Sequence, residues 1–178
     1  MSKQRVAIVT GGARGIGAAI TTSLAKAGTH VAAGYSRNRA AGDELAGKLT
    51  AEGCSVSLHQ GNVGNPDDCQ RVVRDVLTEH GRLDYLVNNA GITVDKTVRK
   101  MTVDDWHAVL RVNLSGAFYM TKAVLEHMLD RSFGRIVNIS SVIGQTGNVG
   151  QANYAASKAG LIGLPRASPW KSPPRASR

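Results

Sequence analysis

The chain has 178 residues, with 22 lysines and arginines against 13 acids and a formal net charge of +9. This length is typical of one domain, and 42% hydrophobic residues suffice for a buried core. No run of about 18 apolar residues and no signal peptide is found, so we expect neither a membrane nor a secreted protein. Cys54 and Cys69 lack a disulfide framework and favour a reducing compartment, so the predicted location is cytoplasmic.

The positive charge is concentrated at the end of the chain. Residues 165–178 hold four bases, no acid and four of the five prolines. The milder charge of the remainder suits a small anionic ligand. One alternative for the tail is a disordered basic segment that contacts nucleic acid or an anionic surface. Because it has no aromatic residue besides Trp170 and no recognition motif, we expect no nucleic-acid partner. The five histidines do not have the spacing of zinc ligands, so no metal site is predicted.

Apolar runs along the chain predict strands that alternate with helices. The predicted strands cover residues 6–10, 30–35, 55–60, 83–90 and 135–141. The predicted helices cover 15–27, about 38–52, 66–80 and about 113–130, and a last one begins near residue 153. This alternation indicates right-handed βαβ units. The predicted fold class is therefore α/β, a doubly wound parallel sheet with helices on both faces.

A glycine-rich turn, "TGGARGIG" at residues 10–17, lies between the first strand and the first helix. Glycines in this position let the backbone turn tightly and approach a pyrophosphate, which rests on the amides at the helix N-terminus. The turn predicts a dinucleotide site. Taken alone, such a motif is also compatible with a tight turn that binds nothing. The candidate cofactor-binding residues of the turn are Gly11, Arg14, Gly15, Ile16 and Gly17.

The end of the second strand distinguishes between cofactors. An acid there would bind the ribose hydroxyls of NAD and repel a 2′-phosphate. The chain has "GYSRNR" instead, with no acid before Asp43. Ser36, Arg37 and Arg14 would together form a phosphate site, so the predicted cofactor is NADP(H). The alternative is that both arginines are solvated surface charges.

A third motif, "YAASK", places Tyr154 and Lys158 on one face of a helix. An unperturbed phenol has a pKa of about 10 and is a poor acid at neutral pH. A neighbouring ammonium stabilises the phenolate and brings the group towards its working range. Ser141 stands at the end of the fifth strand, at the edge where a doubly wound sheet opens on its ligand. Its hydroxyl could polarise a substrate carbonyl beside Tyr154.

Together these motifs resemble the short-chain dehydrogenase/reductase family. The resemblance rests on "TGGARGIG", "NNAG" at residues 88–91, "RVNLSGAF", "NISS" and "YAASK" in this order. It runs from Val6 to about Leu164 and implies a Rossmann-like fold. It also implies a catalytic tetrad of Asn113, Ser141, Tyr154 and Lys158. Further implied cofactor contacts are Gly61, Asn62, Val63, Asn89, Ala90 and Gly91, besides Tyr154 and Lys158.

The resemblance also implies a role for each member of the tetrad. Tyr154 would donate the proton to the reduced carbonyl, and Ser141 would hold the carbonyl oxygen. Lys158 would tune Tyr154 and bind the nicotinamide ribose, while Asn113 would hold a water in the proton relay. Asn62 stands where much of the family has an aspartate that faces the adenine. The side-chain amide of Asn62 could face the adenine instead.

Within the family, residues 88–114 and 140–154 are most similar to reductases of 3-oxoacyl thioesters, of the acetoacetyl-CoA and acyl-carrier-protein kinds. The implied reaction is NADPH-dependent reduction of a small acyl thioester to its 3-hydroxy form. Gln145 and Gln151 would approach the acyl end of this substrate. The intact family is usually tetrameric.

The tail departs from the resemblance. We expect residues 1–164 to be an incomplete NADP-binding domain with five of the usual seven strands, and residues 165–178 to be an aberrant tail. With one choice of codons for the tail, restoring a single lost base before it yields the sequence of an amphipathic helix. We therefore interpret the tail as a frameshift product. Sequencing the coding DNA across Leu164 tests this. The alternative function is a truncated remnant that is unstable, assembles poorly and lacks turnover.

Overall fold

A computed structural model describes residues 4–167, and residues 168–178 of the expected tail lie outside the described part. The strands are β1 (Val6–Val9), β2 (His30–Tyr35), β3 (Val56–Gln60), β4 (Tyr85–Asn88) and β5 (Arg135–Asn138). The helices are α1 (Gly15–Lys26), α2 (Arg39–Ala51), α3 (Pro66–His80), α4 (Val103–Leu110), α5 (Gly116–Asp130), α6 (Ile143–Thr146) and α7 (Ala152–Ala167). A π-helical turn, Arg111–Ser115, joins α4 to α5.

The five strands form one parallel sheet in the order β3-β2-β1-β4-β5. From β1 the chain adds β2 and β3 on one side of the sheet, and then returns to add β4 and β5 on the other side. The boundary between β1 and β4 is therefore the topological switch point of a doubly wound sheet. Ligands of such sheets bind at the carboxyl ends of the strands beside this point. The predicted fold class is confirmed.

Alternation along β1 places its apolar side chains on both faces of the sheet, which explains the continuous apolar run. Val6 and Ile8 pack in one core with residues of α3 and α5, among them Val76 and Met120. Val9 packs in a second core that joins the sheet to α1 and α2. All three β1 residues are at most 3% exposed. The two cores hold the strand ends, and the loops that follow them, in fixed positions.

The helix predicted over about 113–130 begins ten residues earlier than expected, so this boundary was wrong. Thr102 caps α4 through the Asp105 N–H at 3.1 Å, and the Asp105 carboxylate accepts the Thr102 N–H at 2.9 Å. This reciprocal pair is a capping box, which satisfies two backbone donors at the helix start. The following π-helical turn keeps the chain helical through Asn113, which lies inside the continuous stretch and not at its start.

Helix α7 begins at Ala152, one residue before the predicted start, and extends through Pro165 to Ala167. The boundary predicted at Leu164 therefore falls inside this helix. Strand β5 pairs with β4 alone among the described strands, and Val137 on it is 50% exposed. Strand β5 is thus an open edge of the sheet in the described part of the chain.

Residues 4–167 contain neither a membrane-spanning helix nor a metal-binding group of side chains. None of the helices between residues 4 and 167 is both long and apolar enough to span a bilayer. The same range contains no group of three histidine, cysteine or acidic side chains arranged to hold a metal ion.

A cluster of histidines and serines joins the start of β2, strand β3 and the end of α3. The two ring nitrogens of His30 lie 2.7 Å from Ser55 Oγ and 2.9 Å from Ser57 Oγ. Ser57 Oγ also lies 2.9 Å from His59 Nε2, and the His80 ring packs on that of His30 with centroids 3.9 Å apart. Burial, aided by the neighbouring His80, lowers the pKa of His30 from 6.5 to about 4.

This cluster should make the folded state sensitive to acid. The folded chain keeps His30 neutral while the unfolded chain takes up a proton near pH 6.5, so the free energy of unfolding falls as the pH drops from about 6.5 towards 4. We expect a loss of about 2 kcal/mol between pH 8 and pH 5 from His30 alone. Urea unfolding at both pH values measures it. His30→Gln should flatten the dependence; an unchanged slope in this variant would contradict the prediction.

Candidate active site

The carboxyl ends of β1 and β4 are joined by Thr10. Its Oγ1 accepts the N–H groups of Asn89 and Ala90, each at 3.0 Å, and donates to Val87 O at 3.3 Å. In return, Asn89 Nδ2 donates to the carbonyl oxygens of Thr10 at 3.0 Å and Gly11 at 3.2 Å. The glycine-rich turn and the "NNAG" segment are therefore one hydrogen-bonded unit at the switch point. The structure thus brings together two motifs that the sequence analysis assigned to one ligand.

The glycine-rich turn leaves no room for side chains on its inner side. A Cβ on Gly17 would collide with the carbonyl oxygen of Gly11, so the start of α1 can pack on the turn only with glycine at this position. Gly15 has φ +53° and open space around its missing side chain. The exposed backbone from Arg14 to Ile16 therefore faces outwards at the N-terminus of α1.

The first turn of α1 is suited to an anion. Within residues 4–167 the side chain of Arg14 forms no capping hydrogen bond, and the first turn of the helix contains no acid. The leading N–H groups of a helix lack partners inside it and carry the positive end of its dipole. Ile16 is 67% exposed beside them. A pyrophosphate fits this cradle in both charge and shape.

Arg14 and Arg37 follow two segments that are hydrogen-bonded to each other. The Gly12 N–H donates to Gly34 O at 2.8 Å, which ties the glycine-rich turn to the end of β2. Arg14 follows Gly12 by two residues and Arg37 follows Gly34 by three, and both are exposed. Neither guanidinium has an ion-pair or hydrogen-bond partner in the described part of the chain. Ser36, which precedes Arg37, is exposed as well, and the phosphate site formed by the three side chains stays a prediction.

The turn after β3 is hydrogen-bonded to α3. Asp68 accepts the Asn62 N–H at 2.9 Å, and Asn62 Oδ1 accepts the Gly64 N–H at 3.0 Å. The side-chain amide was expected to be free to face an adenine, but its oxygen is thus engaged within the turn. The exposed Nδ2 forms no hydrogen bond with residues 4–167. Gly61 and Val63 flank it, both half-buried.

Lys158 and Tyr154 occupy one face of α7, as their spacing predicts. Lys158 is 4% exposed, and its Nζ donates to Ile139 O at 2.7 Å. The same Nζ lies 5.7 Å from the centre of the Tyr154 ring. Burial lowers the pKa of Lys158 from its ordinary value. Tyr154 is half-buried, and its hydroxyl has no hydrogen-bond partner among the described residues, so it is available to a ligand.

Asn113 joins the "NNAG" loop to α7. Its Nδ2 donates to Ile92 O at 3.0 Å and to Ser157 Oγ at 3.1 Å, and its Oδ1 accepts the Ile92 N–H at 2.8 Å. A Cβ built on Gly91 would lie 3.4 Å from Asn113 Oδ1 and 3.7 Å from Lys158 Nζ. Gly91 therefore lies between two of the predicted tetrad residues. The water-holding role of Asn113 stays a prediction, since both amide hydrogens bind protein groups.

Ser141 lies in a segment that packs on α7. The neighbouring Ser140 donates through Oγ to Lys158 O at 2.7 Å, and Gly144 packs against the backbone at Lys158. Ser141 Oγ accepts the Ile143 N–H at 3.2 Å. One acceptor site of this hydroxyl is thus occupied, while its own proton remains available to a carbonyl oxygen. Ser141 thus follows a residue that is hydrogen-bonded to α7 at Lys158, and its place beside Tyr154 in the tetrad stays a prediction.

The two glutamines predicted to approach the substrate differ in their surroundings. Gln145 is exposed, and its side chain forms no hydrogen bond within residues 4–167. Gln151 instead donates to Asp95 Oδ2 at 3.1 Å and accepts from Asn148 Nδ2 at 2.9 Å. Gln151 is therefore part of the loop framework. The role of both residues in binding substrate stays a prediction.

Sequence reasoning missed three buried polar residues of this site. Thr10, Asn153 and Ser157 are at most 4% exposed, and each forms hydrogen bonds that join separate segments. All three stand inside or beside the quoted motifs. A polar residue in the middle of an otherwise apolar or catalytic motif was the available signal, because buried polar groups need partners.

Comparisons with known proteins agree with this geometry. A family model described as short chain dehydrogenase matches residues 5–169. The chain is 50% identical over 163 residues to an acetoacetyl-CoA reductase of Shinella zoogloeoides, covering 92% of this chain and 66% of the relative. It is 45% identical over 160 residues to a 3-oxoacyl-[acyl-carrier-protein] reductase of Synechocystis sp., covering 90% and 65%.

A 3-oxoacyl-[acyl-carrier-protein] reductase of Staphylococcus aureus is 39% identical over 168 residues, covering 94% of this chain and 68% of the relative. The chain thus spans about two thirds of the length of the curated relatives it matches. The matched part contains the glycine-rich turn, the "NNAG" loop and the start of α7 that meet at the sheet edge. On the match to nearly its whole length, the chain belongs to the short-chain dehydrogenase family.

Proposed function

We propose that the protein reduces 3-oxoacyl thioesters such as acetoacetyl-CoA to 3-hydroxyacyl thioesters, with NADPH as the cofactor. The observation that carries this proposal is that the Tyr154 hydroxyl has no partner among residues 4–167, while the Nζ of the buried Lys158 lies 5.7 Å from the centre of its ring. The names of the relatives, which are reductases of acetoacetyl-CoA and of 3-oxoacyl carrier-protein thioesters, support the substrate class.

The residues present fit a dinucleotide. The open turn at Gly15 and the N-terminus of α1 suit its pyrophosphate, and Arg14, Ser36 and Arg37 suit a ribose 2′-phosphate. Asn89, Ala90 and Gly91, on the loop after β4, would border its nicotinamide half. NADPH, when bound, supplies the hydride.

The chain's own residues would supply the proton and orient the carbonyl. The Ser141 hydroxyl, whose oxygen already accepts the Ile143 N–H, can donate its proton in a hydrogen bond to the substrate oxygen. Tyr154 can transfer its hydroxyl proton to the same oxygen as charge develops there. Lys158 uses one N–H for Ile139 O, which leaves two to stabilise the resulting phenolate and to bind a ribose hydroxyl.

Turnover of acetoacetyl-CoA tests the proposal directly. We expect the 178-residue chain to oxidise NADPH only when acetoacetyl-CoA is present and to release 3-hydroxybutyryl-CoA, which mass spectrometry identifies. The acyl-carrier-protein thioester, assayed in parallel, ranks the two carriers. No NADPH consumption with either thioester, from a chain that unfolds cooperatively, would reject the proposal.

The choice of cofactor depends on Arg37. Its removal should cost one charge-assisted bond to the 2′-phosphate, so Arg37→Ala is expected to weaken NADPH binding by about 10- to 100-fold. The affinity for NADH, which lacks this phosphate, should not change. Calorimetric titration of both cofactors measures the difference.

Arg39 offers a matched control two residues further on. It is also exposed, but its guanidinium is paired with Asp43 at 3.4 Å. Arg39→Ala should therefore leave both affinities unchanged. Equal weakening of NADPH and NADH by Arg37→Ala would show that the arginine supports the loop and does not recognise the phosphate.

A further inference from the structure

Asn153, the residue before Tyr154, is completely buried and bonded to three segments of the chain. Its Oδ1 accepts the Tyr154 N–H at 2.7 Å. Its Nδ2 donates to Val94 O, in the loop after β4, at 3.1 Å and to Asp105 O, in α4, at 3.3 Å. One side chain thus connects the start of α7 to the loop and to α4.

This pattern differs from ordinary helix capping. A capping side chain precedes the helix and accepts the N–H of a residue two or three positions later. Asn153 lies within α7, which begins at Ala152, and accepts the N–H of the very next residue. Capping would also use only the oxygen. The two bonds from Nδ2 reach residues 59 and 48 positions away and are not needed to start the helix.

The loop contacted by Asn153 is bonded to the approach to α7 at several successive residues. The Lys96 N–H donates to Gly150 O at 2.8 Å, and Gln151 Nε2 donates to Asp95 Oδ2 at 3.1 Å. Asn153 continues this series at Val94. We call these three connections the loop clamp: Lys96 to Gly150, Asp95 to Gln151, and Val94 to Asn153.

The loop clamp is anchored on α4 at Asp105. The Lys96 Nζ lies 2.7 Å from Asp105 Oδ2, and this contact, together with the Thr102 hydrogen bonds, lowers the pKa of Asp105 to about 2. The carbonyl of the same residue accepts from Asn153. Lys96 and Asp105 are partly exposed, so Asn153 is the buried member of this set and cannot exchange its partners for water.

We propose that Asn153 is a positioning residue that holds the Tyr154 backbone in register with the loop after β4, and so fixes the distance of the Tyr154 hydroxyl from a carbonyl bound beside Gly91. This rests on the proposed function. Loss of the Nδ2 donors would remove the connection of the loop to α7 at Val94, while α4 and α7 remain packed. Small displacements of a reacting group reduce turnover strongly.

Two substitutions separate the functions of the side chain. Asn153→Asp keeps an acceptor for the Tyr154 N–H and removes the donors to Val94 and Asp105. Asn153→Ser shortens the side chain and loses reach to both. The matched control is Asn65→Asp, since Asn65 is an exposed asparagine outside the loop clamp that caps α3 through the Asp67 N–H at 2.9 Å, and aspartate keeps this acceptor.

Kinetics form the first arm of the test. With saturating NADPH we expect both Asn153 variants to lower kcat for acetoacetyl-CoA by about 10- to 100-fold, without a change in KM for NADPH. In a Tyr154→Phe background the same substitutions should have no further effect on the residual rate, because Asn153 acts through Tyr154. Equal losses in both backgrounds would overturn the proposal, as would a loss of the same size in Asn65→Asp.

Native-state hydrogen exchange forms the second arm and does not depend on turnover. In Asn153→Asp, the Lys96 amide should exchange about 10- to 100-fold faster, the range that loss of a buried hydrogen bond produces. The Ile8 amide in β1 should keep its rate. Unchanged exchange at Lys96 would overturn the proposal. Because this arm also works on a chain without activity, a failure of the proposed reductase function remains distinguishable from a failure of the Asn153 assignment. If Asn153→Asp does not fold, Asn153→Ser is measured in its place.

Discussion

Replacing Tyr154 with phenylalanine should lower kcat for acetoacetyl-CoA by about 10²- to 10⁴-fold, the range that a positioned general acid contributes. The substitution removes one oxygen and keeps the ring that packs beside Lys158, whose Nζ lies 5.7 Å from the ring centre. The Tyr154 hydroxyl forms no hydrogen bond within residues 4–167, so its loss leaves no buried group unpaired there. Folding stability should therefore stay the same, and NADPH titration reports the contribution of the hydroxyl to cofactor binding.

Steady-state rates, NADPH titration and urea unfolding on the same preparation separate these effects. Tyr119→Phe is a suitable control, because Tyr119 is half-buried on α5 and packs against Phe118 away from the start of α7. It should turn over at the rate of the unmodified chain. If Tyr154→Phe retained most of the activity, the proton would have to come from another group, and the assignment of Tyr154 would be wrong.

The sequence was sufficient for the sheet because its signals were local and strong. The apolar run at β1 and the strand over His30–Tyr35 have the predicted type and place. Helix α3 has the predicted bounds, Pro66–His80, since Pro66 opens it and Gly81, at φ +65°, ends it. Glycine adopts this backbone conformation without strain, which makes it a reliable end signal.

Helix α4 was missed although its start signal was present. Thr102 and Asp105 have the spacing of a capping box, but no helix was predicted before about residue 113. Acids in the first turn favour a helix, since they face the positive end of its dipole. The π-helical turn at Arg111–Ser115 was not predicted either; Asn113 within it is bonded to Ile92 and Ser157, contacts that the sequence does not show.

The candidate site could be predicted as a set of residue types, but not as a network. Spacing alone places Tyr154 and Lys158 on one helix face. It does not show that Asn113 contacts Ile92, 21 positions earlier, or that Asn153 contacts Val94, 59 positions earlier. Those contacts arise only when the loop after β4 crosses the start of α7. The bond from Gln151 to Asp95, 56 positions earlier, could not be predicted for the same reason.

Asp84 was not singled out from its sequence either, yet it should be the most important ionised group for stability. Its carboxylate is completely buried before β4 and accepts the Val6 N–H at 2.9 Å. Arg82 donates to both oxygens, at 2.8 and 2.7 Å, and Arg131 lies 3.9 Å away. The backbone of Asp84 also bonds to Val6 O at 2.8 Å and to the Arg135 N–H at 3.0 Å. One residue thus joins β1, β4 and β5 at the amino end of the sheet.

Replacing Asp84 with alanine should therefore lower the free energy of unfolding by about 3–5 kcal/mol, the cost of removing one partner from a buried ion pair. The Val6 N–H and the Arg82 guanidinium would lose this acceptor. Only 14% of the Arg82 side chain is exposed. Asp43→Ala is the control: that carboxylate is 55% exposed in a pair with Arg39, so it should change stability by no more than about 0.5 kcal/mol. Urea unfolding at pH 7 measures both, and a loss below about 1 kcal/mol for Asp84→Ala would contradict the assigned role.

The pH dependence gives an independent check on the same carboxylate. Burial by itself raises the pKa of Asp84, but the hydrogen bonds from Arg82 and from the Val6 N–H outweigh it and hold the pKa below its ordinary value of 3.8. The stability that the ionised group provides is therefore present above about pH 4 and is lost as the pH falls through the lower, folded-state value. Asp84→Asn removes the titrating group and keeps the shape of the side chain. Its stability should be lower at pH 7 and should decline less steeply below pH 4 than that of the unmodified chain, because no proton is taken up at this position.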